Sequence, residues 1–180
     1  MKNVACRVLA VVMVFVMMAP MVGFAVEMED VTRAEFVTML GRLHEYGNET
    51  IGVPGVGAFY ERYLVWAVEM GIMHGDENGD LMPQAFITRE QMAVVVYRYI
   101  EVFGLWGYFQ SDFGSTMAMF WDVIDISLWA RSPVEILRLH SIVRGNISYF
   151  RPQDHLSRAE AIVMFVRISS AVYDLLHPFY

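Results

Sequence analysis

Three short segments of this chain carry the same side-chain chemistry at the same spacing: Thr32-Arg33-Ala34-Glu35, Thr88-Arg89-Glu90-Gln91 and Ser157-Arg158-Ala159-Glu160. Each offers a hydroxyl, then a guanidinium, then a carboxyl or its amide three residues after the hydroxyl. A carboxyl so placed could act as a general acid. The same spacing also spells a helix capping box, in which hydroxyl and Glu or Gln each bond the other's backbone N–H, and that reading accounts for Glu35, Gln91 and Glu160 without catalysis. The arginines ask for more. A guanidinium is a planar fork suited to a carboxylate or phosphate, and a helix N-terminus, with free N–H groups and the positive end of the dipole, already favours an anion. Arg33, Arg89 and Arg158 are therefore candidate anion ligands.

The rest of the chain offers little other chemistry. His44, His74, His140, His155 and His177 show no metal-ligand spacing. Asp76-Glu77-Asn78-Gly79-Asp80 opens like a calcium loop, but Leu81 stands where such a loop needs Gly and Ile87 where it needs Glu, so no metal is expected. No nucleophile elbow, zinc-protease helix or phosphate loop is present. The expectation is a non-enzymatic chain with no cofactor. Trp66 and Trp129 could stack on sugar rings, although their apolar surroundings suit core packing better.

The elements that position these residues follow from periodicity. Counted from each cap hydroxyl, offsets +4, +7, +8 and +11 are apolar in all three copies: Phe36, Met39, Leu40, Leu43; Met92, Val95, Val96, Tyr99; Ala161, Met164, Phe165, Ile168. That is one helical stripe in one register, repeated three times. Three such helices bury their stripes by packing together. Offset +10 is always Arg (Arg42, Arg98, Arg167), which in a last turn complements the helix dipole. The second and third copies share an upstream half, Gly71-Ile72-Met73-His74-Gly75 with Pro83, and Ser141-Ile142-Val143-Arg144-Gly145 with Pro152: a helix end, a turn and a Pro-containing loop leading to the cap. Further upstream, helices are expected around residues 63–70 and 133–139, the latter starting at Ser132-Pro133. The first copy shows no such half.

Length and charge frame this pattern. The chain has 180 residues and a formal net charge of −7. Lys2 and Arg7, the apolar run 8–18 and the small-x-small ending Gly23-Phe24-Ala25 read as a secretory signal peptide, residues 1–25, cleaved before Val26. Its removal would take two of the 13 cations and none of the 20 acids, shifting the net charge from −7 to −9, and would carry off Cys6. Every remaining cation is Arg. A nucleic-acid partner is not expected, nor is a membrane span, since no second apolar run of sufficient length follows.

Taken in order, Phe120-x-Asp122-Val123, Trp129-Ala130, Ile142-x-x-Gly145, Phe150-x-Pro152 and Ser157-Arg158-Ala159-Glu160 resemble the repeat of the S-layer homology family. In the second copy Trp66-Ala67, Gly71-Ile72-x-x-Gly75, Pro83 and Thr88-Arg89-Glu90-Gln91 follow the same order, without the Phe-x-Asp-Val opening. The resemblance implies an all-α, pseudo-threefold helical domain with a central three-helix bundle. Its layout would be repeat 1 at 26–47 (C-terminal half only), repeat 2 at 48–105, repeat 3 at 106–172 and a tail at 173–180. The functional role it implies is non-covalent attachment to the cell wall of a Gram-positive-type bacterium through pyruvylated secondary cell-wall polysaccharide, a peptidoglycan-linked glycan. The glycan residues it implies are Arg33, Arg89 and Arg158, supported by Gly75, Gly145, Asp122 and Trp129. The alternative is the same bundle with degenerate grooves, docking another envelope protein through aromatics of 103–121.

Overall fold

A computed structural model of the chain describes residues 29–45, 57–109, 120–144 and 148–176; the expected leader, residues 46–56 and 110–119, Gly145, and His177 with the rest of 177–180 lie outside the described residues. It is all-α: α1 (Arg33–Glu45), α2 (Glu61–Glu69), α3 (Arg89–Val102), α4 (Leu128–Leu139) and α5 (Arg158–Leu176), with 3₁₀ turns at Leu105–Tyr108 and Val123–Asp125.

The capped helices α1, α3 and α5 start where the boxes predict. In each, the N3 amide donates to the cap hydroxyl and the N3 side chain accepts from the cap amide, through Thr32 and Glu35, Thr88 and Gln91, and Ser157 and Glu160. Such a cap contributes about 1 kcal/mol. All twelve stripe residues are buried in one cluster, with the Phe36 and Phe165 rings 5.2 Å apart.

The residue before each cap does something the sequence does not announce. Val31 N–H donates to Leu156 O (2.8 Å), Leu156 N–H to Ile87 O (2.9 Å) and Ile87 N–H to Val31 O (2.9 Å), closing a ring that ties each copy to both others. All three residues are buried, so each amide would cost about 1–3 kcal/mol if left unpaired.

The upstream helices brace this centre: α2 packs on α1 and α4 on α3. Gly41 permits the first contact, since a Cβ there would lie 2.3 Å from the buried Tyr63 ring. The second is fastened by Glu90, whose carboxylate accepts from Ser127 N–H and Oγ–H (3.0 and 2.9 Å) just ahead of α4. That anchor explains why α4 begins at Leu128 rather than at Ser132-Pro133, and Pro133 sits inside the helix. Its missing N–H deprives only the exposed Trp129 carbonyl of a partner. After α3, Gly104 turns the chain at φ +63° and the Leu105–Tyr108 turn packs on both α3 and α5. Because α5 runs to Leu176, past the expected repeat end at 172, Arg167 is a mid-helix residue; it donates to Ile142 O (2.9 Å) instead of completing a last turn. Of the three offset +10 arginines only Arg42 lies in a last turn.

Candidate functional site

The three cap arginines occupy equivalent places and have different surroundings. Arg33 is 6% exposed; its Nε donates to Leu81 O (2.8 Å) and its Nη2 to His74 O (3.0 Å). Burial lowers its pKa, opposed by Asp76 and Asp80. Arg89 is 4% exposed and more tightly held, with Nε on Phe150 O (2.6 Å), Nη1 on Glu160 Oε1 (2.5 Å) and the guanidinium 5.2 Å from the Phe150 ring centre. Its pKa is also lowered, first by burial, with Glu160 opposing. Arg158 keeps a third of its side chain exposed (33%) and gives Nη2 to Glu35 Oε1 (3.0 Å).

The backbone around these caps is also engaged. Arg33 and Ala34 N–H donate to Ala85 O and Pro83 O, Arg89 and Glu90 N–H to Asp154 O and Pro152 O, and Arg158 N–H to Glu29 O. The α1 and α3 N-termini therefore do not present the free first-turn N–H groups expected for an anion, because the loop of the following copy has taken them; at α5 Arg158 N–H is taken by Glu29 O. Arg33 and Arg89 themselves clamp the loops of the following copies.

Asp122 belongs to the same framework. It is buried and accepts from Phe150 N–H (2.9 Å) and Arg151 N–H (2.6 Å), holding Arg151 at φ +56°. The second copy, which lacks that Asp, uses Asp80 to accept from Met82 N–H (2.9 Å) at the matching left-handed position, φ +44°. Gly75 is required for space: a Cβ there would lie 2.4 Å from the Gly79 carbonyl carbon. The acidic stretch closes on itself, Asp76 Oδ1 accepting from Asn78 and Asp80 N–H. Among the described residues no group of three or more His, Cys, Asp or Glu is placed to hold a metal ion.

Turn hydrogen bonds correct the register of the tryptophans. Ile72 and Met73 N–H donate to Ala67 O, as Ile142 and Val143 N–H donate to Leu137 O. Trp66 thus matches Ile136, and Trp129 matches Phe59; the Trp-Ala pairs agree in type and not in position. Trp66 is buried, as core packing requires. Trp129 is 55% exposed, against the core reading, and Trp121, Ile124 and Leu128 are exposed too.

Two groups escaped sequence reasoning. Glu90 breaks the Thr-Arg-Ala-Glu spelling, and that departure was the available signal for its role at Ser127. His44, in the last turn of α1, packs among Trp66, Tyr99 and Phe103 (ring centres 5.4, 6.0 and 4.3 Å), its Nδ1 3.3 Å from Tyr99 Oη. Burial lowers the His44 pKa and raises that of Tyr99. No local pattern marks that contact.

Known proteins resemble this chain in sequence. The S-layer homology domain profile matches residues 53–93 and 120–162. The chain belongs to the S-layer homology family. Both matched stretches are S-layer homology repeats, and α1, outside them, carries the same cap and completes the same backbone ring. The chain is 35% identical over 137 residues to an amylopullulanase of Thermoanaerobacterium thermosulfurigenes, covering 73% of this chain and 7% of that protein. It is 34% identical over 137 residues to an exoglucanase XynX of Acetivibrio thermocellus, covering 73% and 12%. A cellulosome-anchoring protein of the same organism is 26% identical over 148 residues, covering 77% and 32%. The chain thus spans a third or less of each of these relatives. S-layer homology repeats assign it to attachment at the cell surface.

Proposed function

We propose that this chain is a secreted, non-catalytic module that attaches to the cell wall of a Gram-positive-type bacterium by binding an anionic, pyruvylated secondary cell-wall polysaccharide, with the third repeat as the principal contact. No cofactor is involved. The observation that carries this reading is the exposure of Arg158. A ketal carboxylate can approach its guanidinium, and a charge-assisted bond there contributes about 1.5–3 kcal/mol. The pair it must displace is weak: Arg158 and Glu35 are each about a third exposed (33% and 35%), and exposed pairs contribute about 0–1 kcal/mol. At Arg89 the balance reverses, because withdrawing a buried guanidinium from Phe150 O and Glu160 costs more than a new anion returns.

Charge supports the same choice. Repeat 3, residues 106–172, holds six arginines (Arg131, Arg138, Arg144, Arg151, Arg158, Arg167) against six carboxylates, whereas repeat 2, residues 48–105, holds three arginines against eight. A net acidic chain that meets an acidic polymer needs such local concentration of positive charge.

A second reading, docking to another envelope protein, is favoured by exposed Trp121, Ile124, Leu128 and Trp129 at the start of the third repeat, beside a groove of about 390 Å3 lined by Phe120, Val123 and Val134. Co-sedimentation with purified sacculi, before and after extraction of the secondary polymer, separates the two. Retention only with the polymer present supports glycan binding; polymer-independent retention contradicts it, and retention on unpurified walls that protease treatment abolishes supports the protein partner.

A further inference from the structure

The three capped helices invite a position-by-position comparison of the face turned away from the central stripe. On α1 and α3 that face, at offsets +2, +5, +6 and +9 from the cap, lies under α2 and α4. At offset +6 Thr38 is 2% and Val94 7% exposed, whereas Val163 on α5 is 48% exposed. At offset +5 Val37 and Ala93 are fully buried, while Ile162 is only partly so. The α5 face, Ala159, Ile162, Val163 and Val166, is wholly apolar and in register with faces that the fold buries elsewhere. Among the described residues α5 packs on α1 and on the Leu105–Tyr108 turn, and no helix covers it as α2 covers α1.

The chemistry of an occupant can be read from the rim. Arg158 and Arg167 flank the face at helical spacing, one on each side, within the arginine-rich third repeat. A second copy presenting this same face would meet its own positive charge. The outer side of α2 is the complement: Val65 and Val68 are exposed, Glu61 and Glu69 bound them within the acid-rich second repeat, and Arg62 on the same side is already paired with Glu45. We infer that the open face of α5 receives the outer face of α2 from a second copy of this chain, apolar against apolar, with the α5 arginines beside the α2 glutamates. The contact is heterologous: a dimer leaves one α2 face free on one copy and one α5 face free on the other, so pairing extends beyond a dimer into an open series. This inference does not rest on glycan binding.

Sedimentation velocity on the purified protein and two variants tests it. The wild type forms a concentration-dependent series of dimers and larger species. Val163→Arg and Val65→Arg, both at exposed positions and with unchanged far-UV circular dichroism and melting, each run as single chains. Mixed in equal amounts they form a dimer that stops there, because one variant retains α2 and the other α5. Val68→Arg behaves as Val65→Arg does. A wild type that remains a single chain at every concentration overturns the inference. So does Val163→Arg that associates like the wild type, Val65→Arg that still dimerises alone, or a mixture that stays monomeric.

Discussion

Arg89 and Arg158 occupy the same position in two copies of one motif, and the molecule uses them differently. Arg89 is enclosed by its neighbour's loop, with a carbonyl and a carboxylate at 2.6 and 2.5 Å. Arg158 reaches a single described carboxylate across a partly exposed gap. The difference teaches that repetition of a motif does not repeat its surroundings. The first- and second-repeat arginines hold copies together, and the third remains accessible to a ligand.

The widest separation should appear in stability. Arg89→Ala leaves Glu160 with the more exposed Arg151 and Phe150 O without its donor, and should cost roughly 3 kcal/mol. Arg158→Ala should cost under about 1 kcal/mol. Urea unfolding of both variants measures the gap; equal losses would remove the distinction between the two clefts. Next in size is Gly41→Ala, where a methyl must displace the buried Tyr63 ring, for a loss of about 1–3 kcal/mol. The matching Val166→Ala on α5, which no upstream helix covers among the described residues, should cost less, and thermal melts of the two compare the two faces.

Acid should divide the molecule in a related way. The Glu35 and Glu160 pKa values lie below the ordinary 4.5: burial opposes the shift, but cap hydrogen bonds and the arginines Arg158 and Arg89 outweigh it. The unfolded chain therefore takes up these protons first, and the stability they contribute is lost as pH falls below about 4.5. His44, depressed by burial from 6.5, follows the same sign at higher pH: its contribution is complete above 6.5 and declines as pH falls below it. Melting temperature against pH should show a first decline below 6.5 that His44→Gln removes and a second, below 4.5, that it leaves. The smallest effect concerns the turns. Ser141 adopts φ +56° where the second repeat has Gly71 at +68°, so Ser141→Gly should stabilise by about 0.5–1 kcal/mol, while Gly71→Ser should destabilise.

Most of the helical framework was legible because it rests on local rules. Capping boxes and a stripe at one register located the starts of α1, α3 and α5 and all twelve central core positions. What sequence could not supply were contacts closed by the fold: the ring through Val31, Ile87 and Leu156, the Glu90 anchor that moves the start of α4, and His44 among its aromatics. Trp66 and Trp129 illustrate the cause of the misplaced register, since a dipeptide matched by type took precedence over hydrogen-bond position. The candidate site was named from residue type alone. Which cap arginine stays accessible depends on the loop of another copy, and no spacing within one segment encodes that.

The most direct test of the account is calorimetric titration of purified secondary cell-wall polysaccharide, intact and after mild-acid removal of its pyruvate ketals, into the wild type and Arg158→Ala, with Arg158→Lys alongside. A lost charge-assisted bond of about 1.5–3 kcal/mol predicts binding of the intact polymer weakened roughly ten- to hundredfold in Arg158→Ala, partial recovery with Lys, and weak binding of the depyruvylated polymer by all three. Undiminished binding by Arg158→Ala, or equal affinity for the depyruvylated polymer, would contradict it.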